Sequence, residues 1–197
     1  MQKAKIIGVI GETGSGKSTF SRYIQNLYTC LVIDTDQIGH DVLEESDIKQ
    51  ALVDRYSEAI LCHGLVDRKH LGTIVFQDKK ELTYLSQLTH PRIREHIVRK
   101  IEENMQDYAI ILVDGVALVE ANIHLLCDYI IYIHTAKEIR LKRLVEKRNI
   151  PYKRAEAMIA SQKSEAFYAN NSDYTVSLDQ GIESKKKEIQ NLLQEIL

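Results

Sequence analysis

Five apolar runs are spaced along the chain, and longer stretches with helical periodicity separate them. The runs are rich in isoleucine and valine, and continuous apolar runs are typical of strands that a parallel sheet buries on both faces. Strands that alternate with helices predict an α/β fold with right-handed crossovers. The predicted strands are Ile6–Ile10, Leu31–Ile33, Tyr108–Gly115, Asp128–Ile133 and Tyr174–Leu178.

The segment from Asp41 to Asp107 differs from the rest, because its apolar residues follow a helical period and no run predicts a strand. Asp67 precedes one helical stretch and is a residue type that caps helices. Pro91 lacks a backbone N–H, so we expect the helix before it to end near His90. The helices predicted here are Ile48–Tyr56, one capped by Asp67, Leu82–Leu88 and Ile93–Met105.

Five more helices are predicted outside this segment. Two of them, late in the chain, carry many basic residues, and Pro151 suits the first turn of the second because its missing N–H needs no partner there. These two helices are Ala136–Arg148 and one that continues from Pro151 toward Tyr168, and the others are Ser18–Leu27, Gln37–Glu44 and Ile182–Leu197.

Composition places the 197-residue chain among ordinary globular proteins, with 44% hydrophobic and 27% charged residues. A net charge of −2 gives no general attraction to nucleic acid, so we expect no nucleic-acid partner. No leader pattern and no apolar run of membrane-spanning length is present, so we expect a cytoplasmic protein without membrane attachment. Cys30, Cys62 and Cys127 lie in or beside apolar runs, and we expect buried, reduced thiols without disulfides or zinc.

The strongest chemical signal follows the first strand, where the chain has the pattern Gly-x-x-x-x-Gly-Lys-Ser of a phosphate-binding loop. Glycines let the backbone turn its N–H groups onto an anion, and the next helix adds its positive end. Lys17 would reach the β- and γ-phosphates of a nucleoside triphosphate, and the Ser18 hydroxyl would ligate Mg²⁺. The alternative is a glycine-rich turn with a solvated lysine. The loop residues are Gly11, Glu12, Thr13, Gly14, Ser15, Gly16, Lys17, Ser18 and Thr19.

Acidic residues end two of the predicted strands, where open α/β sheets bind their ligands. Asp34 and Asp36 follow the second strand, and Asp114 ends the third. In an extended segment, the i, i+2 spacing would place Asp34 and Asp36 on one face. We predict that these carboxylates serve the phosphate site; an Asx-type turn with a helix cap is the alternative for Asp34 and Asp36.

The basic residues of the late helices suit a lid. Phosphoryl transfer spreads negative charge over the transferring group, and cations that close over it stabilise that charge and exclude water. A basic face exposed to solvent is the alternative. The first of these helices contains Arg140, Lys142, Arg143, Lys147 and Arg148.

Several motifs occur in order along nearly the whole chain, beginning with the loop and the Asp-x-Asp segment at Asp34. The later motifs are Gly64-x-Val66-Asp67-Arg68-x-x-Leu71-Gly72-x-x-Val75-Phe76, His90-Pro91-Arg92-Ile93, Val116 to Glu120, Ile159-Ala160-Ser161-Gln162 and Asp173-Tyr174-Thr175-Val176. In this order they resemble the dephospho-coenzyme A kinase family. Val116 stands where that family usually has proline, and Leu178 or Asp179 where it usually has asparagine.

The resemblance implies a P-loop NTPase fold, in which helices cover both faces of a parallel five-stranded sheet. It implies transfer of the γ-phosphoryl group of ATP to the ribose 3′-hydroxyl of dephospho-coenzyme A (dephospho-CoA), with Mg²⁺ as a cofactor. The nucleotide-binding core would comprise residues 1–40, 108–135 and 173–197. Residues 41–107 would form a helical acceptor-binding insertion, and residues 136–172 a helical lid.

The resemblance also implies roles for single residues. Asp36 would orient the acceptor hydroxyl and receive its proton, and Asp34 or Asp114 would bind the metal or its water. Lys17 would hold the phosphates, and Arg143 would contact a phosphate or the adenine. Asp67, Arg68, His90 and Glu120, with Asp36, would bind the acceptor.

Some questions stay open at this point. The spacing from Arg143 to Arg148 is one residue longer than usual, so either Lys147 or Arg148 faces the nucleotide. A kinase of another small metabolite, nucleoside or nucleotide would share the loop, and so would a nucleotide-dependent switch, although a guanine-specifying Asn-Lys-x-Asp run is missing. We expect a monomer or a weak homo-oligomer.

Overall fold

A computed structural model describes residues 3–115 and 118–197. Val116, which departs from the proline of the resembled family, lies outside these ranges. The described residues form seven strands: β1 (Lys5–Ile10), β2 (Cys30–Asp34), β3 (Leu61–Cys62), β4 (Leu65–Val66), β5 (Ile110–Asp114), β6 (Tyr129–His134) and β7 (Tyr174–Ser177).

Five of these strands form one parallel sheet in the order β2-β5-β1-β6-β7. Because the strands are parallel, their carboxyl ends lie along one edge, and the loop after β1 emerges at the middle of that edge. In the register of β2 with β5, Asp34 lies opposite Asp114. The predicted α/β fold with a five-stranded parallel sheet is confirmed.

Both faces of the sheet are buried, which explains its apolar runs. Along β5, Ile111 and Val113 pack into one hydrophobic cluster, whereas Ile110 and Leu112 pack into the other. Successive side chains of a strand point to opposite faces, so a strand covered on both needs apolar residues throughout. The described helices are α1 (Lys17–Gln25), α2 (Thr35–Val42), α3 (Ser46–Tyr56), α4 (Arg68–Val75), α5 (Lys79–Asn104), α6 (Lys137–Lys142), α7 (Tyr152–Ala160), α8 (Glu165–Asn170) and α9 (Lys186–Ile196).

Helix α5 shows that the predicted break at His90-Pro91 is wrong, because one helix runs through Pro91. A proline inside a helix removes one backbone hydrogen bond and costs roughly 3 kcal/mol. Side chains on both sides of Pro91, among them Leu88 and Ile97, pack into one hydrophobic cluster. Burial of both halves against the same core therefore outweighs the local cost.

A short hairpin contradicts the prediction that residues 41–107 contain no strand. Strands β3 and β4 pair antiparallel, with Leu61 opposite Val66 and Cys62 opposite Leu65. The two residues between them, His63 and Gly64, both have positive φ, as a type I′ turn requires. Strands of two residues are too short to give an alternating pattern in the sequence.

Residues 136–172, the predicted lid, form more separate helices than the sequence predicts. Helix α6 ends at Lys142 and continues as one π-helical turn over Arg143–Lys147. The helix expected to run from Pro151 toward Tyr168 is two helices, α7 and α8, because Ser164 caps a new start by accepting a hydrogen bond from Phe167 N at 3.2 Å. Pro151 precedes the first turn of α7 instead of lying within it.

The three cysteines are free, and Cys62 is exposed, contrary to the prediction that all three are buried. Cys62 lies on the hairpin, whereas Cys30, the first residue of β2, and Cys127 are partly buried. Burial raises the pKa of Cys30 to about 11 and that of Cys127 to about 12.

None of the helices in the described part of the chain combines the length and the apolar character needed to cross a membrane. The division into core, insertion and lid stays a prediction.

Candidate active site

The predicted phosphate-binding loop connects β1 to α1. Gly11, Gly14 and Gly16 have φ values of +146°, +78° and +107°, which residues with a side chain rarely adopt. Helix α1 begins at Lys17, and no side chain caps its first turn. Its N-terminal N–H groups and its dipole therefore favour an anion in front of the loop.

A cavity of about 200 Å³ lies in front of the loop, and we call it the phosphate cavity. The Lys17 ammonium donates a hydrogen bond to the Gly11 carbonyl at 2.9 Å. Burial lowers the pKa of Lys17, whereas the carboxylates of Asp114 and Asp36 raise it. Side chains from four positions outside the loop also line the cavity: Asp34, Asp36, Asp114 and Arg148.

Asp34 and Asp36 line the phosphate cavity from the start of a helix and not from the extended segment that the i, i+2 spacing predicts. Asp34 caps α2, because its Oδ1 accepts hydrogen bonds at 3.0 Å from the backbone N–H groups of Asp36 and Gln37. Asp36 therefore lies in the first turn of a helix and not in an extended segment. The expectation based on i, i+2 spacing is wrong in its geometry, although both residues line the cavity.

Asp114 ends β5 at the back of the phosphate cavity. Ser21 Oγ donates a hydrogen bond to its carboxylate at 3.4 Å. Burial raises the pKa of Asp114, and Lys17 opposes that shift. A Cβ on the next residue, Gly115, would lie only 1.7 Å from Thr35 Oγ1, so glycine is needed for β5 to end against the start of α2.

Arg143 lies behind the loop. Its Nη1 donates to the carbonyls of Gly14 and Ser15 at 3.3 and 3.1 Å, and its Nη2 donates to the Leu178 carbonyl at 2.6 Å. Burial lowers the pKa of Arg143, against the opposing effect of Asp179. The guanidinium thus connects the phosphate loop to the chain after β7.

Glu12 contributes its backbone to the loop, while its side chain is buried behind it. The Glu12 carboxylate accepts hydrogen bonds from Tyr132 Oη at 3.1 and 3.0 Å and lies 3.4 Å from Arg140 Nη2. Burial raises the pKa of Tyr132, and Glu12 adds to that shift. This group ties the loop to β6 and α6.

The π-helical turn settles which basic residue after Arg143 faces the phosphate cavity. Arg148 lines the cavity, and its charge acts on Lys17. A π turn holds one more residue than an α turn, so it changes the direction in which the residues after it point. The sequence shows the unusual spacing but not the turn that accommodates it.

Two residues near the loop were not chosen as site residues from the sequence. Gln162 Oε1 accepts a hydrogen bond from Thr13 N at 2.9 Å, and buried Thr135 donates to the Ser15 carbonyl at 2.8 Å. Gln162 ends the motif Ile159-Ala160-Ser161-Gln162 of the resembled family, and that motif could have identified it as a site residue. Thr135 follows β6 without any motif around it.

A second cavity, of about 370 Å³, adjoins the first, and we call it the middle cavity. Residues of α2, α5 and the segment 121–123 line it, and Asp36 lines both cavities. His90 lies in its wall, where burial lowers the pKa of the imidazole against the opposing effect of Glu120. Glu120 itself is exposed.

The structure does not bring Asp67 and Arg68 together with these residues. Asp67 caps α4 by accepting hydrogen bonds from the N–H groups of Lys69 and His70 at 2.9 and 3.1 Å. The hydrogen bond from His70 is the main reason that the pKa of Asp67 is lowered. Arg68 is exposed, and neither residue lines the phosphate cavity or the middle cavity.

The residues around the phosphate cavity fit a magnesium ion. The Ser18 hydroxyl and the carboxylates of Asp34, Asp36 and Asp114 line it, and Mg²⁺ prefers oxygen ligands. Within residues 3–115 and 118–197, no group of three or more His, Cys, Asp or Glu forms a metal cage. This arrangement suits an ion that keeps several waters and shares the phosphates of a nucleotide.

Comparison with known proteins identifies the family of the chain. The family model described as dephospho-CoA kinase matches residues 5–184. The chain belongs to the dephospho-CoA kinase family. The dephospho-CoA kinase of Listeria innocua is 31% identical over 94% of this chain and 94% of its own length. The resemblance predicted from the sequence is confirmed.

Solved structures agree with the observed fold. The structure of dephospho-CoA kinase from Campylobacter jejuni matches with a TM-score of 0.70 and 26% identity, covering 97% of this chain and 96% of that one. A shikimate kinase from Acinetobacter baumannii, solved with shikimate, matches with a TM-score of 0.51 and 16% identity over 98% and 96% of the two chains. The fold is that of the P-loop kinases.

Proposed function

We propose that this protein is a cytoplasmic kinase that transfers the γ-phosphoryl group of ATP to the ribose 3′-hydroxyl of dephospho-CoA, giving coenzyme A. One observation carries the proposal: Asp36 lines both the phosphate cavity and the middle cavity. A carboxylate at this junction can contact a hydroxyl in the middle cavity while the terminal phosphate lies on the other side. Membership of the dephospho-CoA kinase family supports this acceptor.

The triphosphate would lie against the loop. The backbone N–H groups of the loop and Lys17 would hold the β- and γ-phosphates, because the positive end of α1 and the Lys17 ammonium offset the negative charge of the phosphates. Ser18 would ligate Mg²⁺, with Asp34 or Asp114 bound to the ion or to its water. When bound, the ion would offset the negative charge that develops on the phosphate oxygens during transfer.

Asp36 would orient the acceptor hydroxyl toward the terminal phosphorus and accept its proton. The transition state of phosphoryl transfer is loose in most analyses, so positioning by this carboxylate contributes more than its basicity. Arg148 would bind the transferring phosphoryl group from the lid. Arg143 would keep the loop in its binding conformation and contact the nucleotide beside Gly16, where an added Cβ would lie 3.6 Å from Arg143 Nη1.

On the acceptor side, we propose that His90 and Glu120 contact dephospho-CoA. Asp67 and Arg68 belong to the same proposal, at a greater distance from the reacting groups. Arg68→Ala should raise the KM for dephospho-CoA and leave the KM for ATP unchanged, because exposed Arg68 has no ion pair within the described ranges. An equal rise in both KM values would instead show a structural role.

A panel of acceptors tests the function. Purified protein is incubated with Mg²⁺, ATP and one acceptor at a time, and ADP is measured; the panel holds dephospho-CoA, shikimate, nucleosides and nucleoside monophosphates. The proposal predicts rapid ADP formation with dephospho-CoA and little with the others. Turnover of another acceptor alone would contradict the proposal, and so would ADP release that needs no acceptor.

A further inference from the structure

A small hydrophobic cluster lies apart from the two clusters of the sheet, and we call it the satellite cluster. Its buried centre is Leu144, Ala155 and Ile159, which pack α7 against the π-helical turn. The chain between these elements turns back on itself, because Ile150 N donates a hydrogen bond to the Leu144 carbonyl at 3.1 Å. Residues 141–159 therefore have a core of their own. The partly buried members of the cluster are Leu141, Val145 and Ile150.

Arg148 belongs to this part of the chain. It is exposed and follows directly after the π-helical turn, yet it lines the phosphate cavity. A long exposed side chain loses conformational entropy when it is held in one place. The position of the backbone that carries Arg148 therefore decides how often its guanidinium faces the bound phosphates.

The side chain of Gln162 connects the satellite cluster to the phosphate loop. Its Oε1 accepts a hydrogen bond from Thr13 N at 2.9 Å, and Thr13 lines the phosphate cavity. Within residues 3–115 and 118–197, this is the one hydrogen bond between the segment 144–162 and the loop. At its other end, Gln162 N donates to the carbonyl of Ile159, a buried member of the satellite cluster, at 3.3 Å. Gln162 is thus bonded to both parts at once.

We propose that Gln162 is a positioning residue, which holds the satellite cluster against the phosphate loop so that Arg148 faces the transferring phosphoryl group. Gln162 does not line the phosphate cavity, so it acts through Arg148 and not on the nucleotide. The inference rests on the proposed function and adds to it a side chain that keeps the basic segment in place.

Two single variants, their combination and a matched control test the proposal. Gln162→Leu removes the acceptor and keeps much of the side-chain volume. Arg148→Ala removes the guanidinium that Gln162 is proposed to position. Gln190→Leu makes the same chemical change at an exposed position of α9 and is the control. Gln162 is half-buried and lies in no helix or strand, so Gln162→Leu should fold.

Amide hydrogen exchange in the protein without nucleotide measures the contact directly. Protein labelled with ¹⁵N-threonine gives the exchange rate of the Thr13 amide by NMR. In Gln162→Leu this amide should exchange about fivefold faster than in the wild type, the factor that one hydrogen bond of ordinary strength contributes. Gln190→Leu should match the wild type.

Steady-state kinetics with dephospho-CoA measure the consequence. Gln162→Leu should lower kcat by about fivefold and leave the KM for ATP unchanged, because Arg148 contacts a group that develops its charge only in the transition state. Arg148→Ala should lower kcat by about 100-fold or more. In the Arg148→Ala background, Gln162→Leu should change kcat by less than about twofold, since the guanidinium that it positions is absent.

Other outcomes overturn the inference. Equal exchange of the Thr13 amide in Gln162→Leu and the wild type would show that the contact does not form. An equal loss of kcat with and without Arg148 would show that Gln162 does not act through it. A lower KM for ATP in Gln162→Leu would show that Gln162 competes with a phosphate for the Thr13 N–H. If the wild type does not phosphorylate dephospho-CoA, the proposed function fails, and the exchange rates still show whether Gln162 holds the loop.

Discussion

Replacing Arg140 with methionine tests how the phosphate loop is held. The Arg140 side chain is 5% exposed, and its Nη2 lies 3.4 Å from the Glu12 carboxylate, whose own side chain is 2% exposed. Its Nε also donates to the Thr135 carbonyl at 2.9 Å. Methionine fills much of the same volume without charge, so the Glu12 carboxylate would stay buried and, among the residues that the structure describes, would keep the Tyr132 hydroxyl as its one hydrogen-bonding side chain.

The size of the effect follows from these contacts. Removing one partner of a buried ion pair costs about 3–5 kcal/mol, because the other charge is left buried. Domains of this size have a free energy of unfolding of about 5–15 kcal/mol, so Arg140→Met should remove a large share of it. Adding Glu12→Gln removes the stranded charge and should restore about 2 kcal/mol or more relative to Arg140→Met.

Urea unfolding followed by circular dichroism measures both quantities. Arg99→Met is the control, because Arg99 forms an exposed ion pair with Glu95, and such pairs contribute about 0–1 kcal/mol. The KM for ATP should rise in Arg140→Met, because the phosphate loop loses a contact that holds it in its binding conformation. The buried ion pair would not support the loop if Arg140→Met proved as stable as the control, or if the Glu12→Gln/Arg140→Met double variant proved less stable than Arg140→Met.

Three further predictions concern the site and the thiols. Lys17→Ala should lower kcat by about two or more orders of magnitude, as loss of a transition-state electrostatic contact does, with unchanged circular dichroism; an unaltered kcat would contradict its role. Asp36→Asn should lower kcat far more than it changes the KM for ATP, whereas a change in KM alone would limit Asp36 to binding. With a thiol reagent at pH 8, exposed Cys62 should react first, because pKa values of about 11 and about 12 keep Cys30 and Cys127 protonated. Rapid labelling of a Cys62→Ser variant would contradict the last prediction.

The parts of the fold that the sequence predicts are those with a local physical cause. Continuous apolar strands such as β5 need cover on both faces. The spacing of Gly11, Gly16 and Lys17 is typical of a loop that binds phosphate groups. The cap at Asp67 is equally local, since its carboxylate bonds N–H groups only two and three residues away. Each of these features depends on residues close together in the chain.

The features that sequence reasoning missed depend on distant contacts. Helix α5 continues through Pro91 because both of its halves pack on a core assembled from other elements. The partner of Glu12 lies 128 positions away at Arg140, so nothing near the loop indicates that its carboxylate is buried. Arg148 faces the phosphate cavity through a π turn, which the spacing of basic residues suggests but does not locate.

The most direct measurement is the identity of the product formed from Mg²⁺, dephospho-CoA and ATP labelled in its γ-phosphate. Mass spectrometry and phosphorus NMR of the purified product locate the label. The account predicts that the label is transferred to the ribose 3′-oxygen and that the transfer is lost in Asp36→Asn. Label found only in free phosphate, or on an acceptor other than dephospho-CoA, would contradict it.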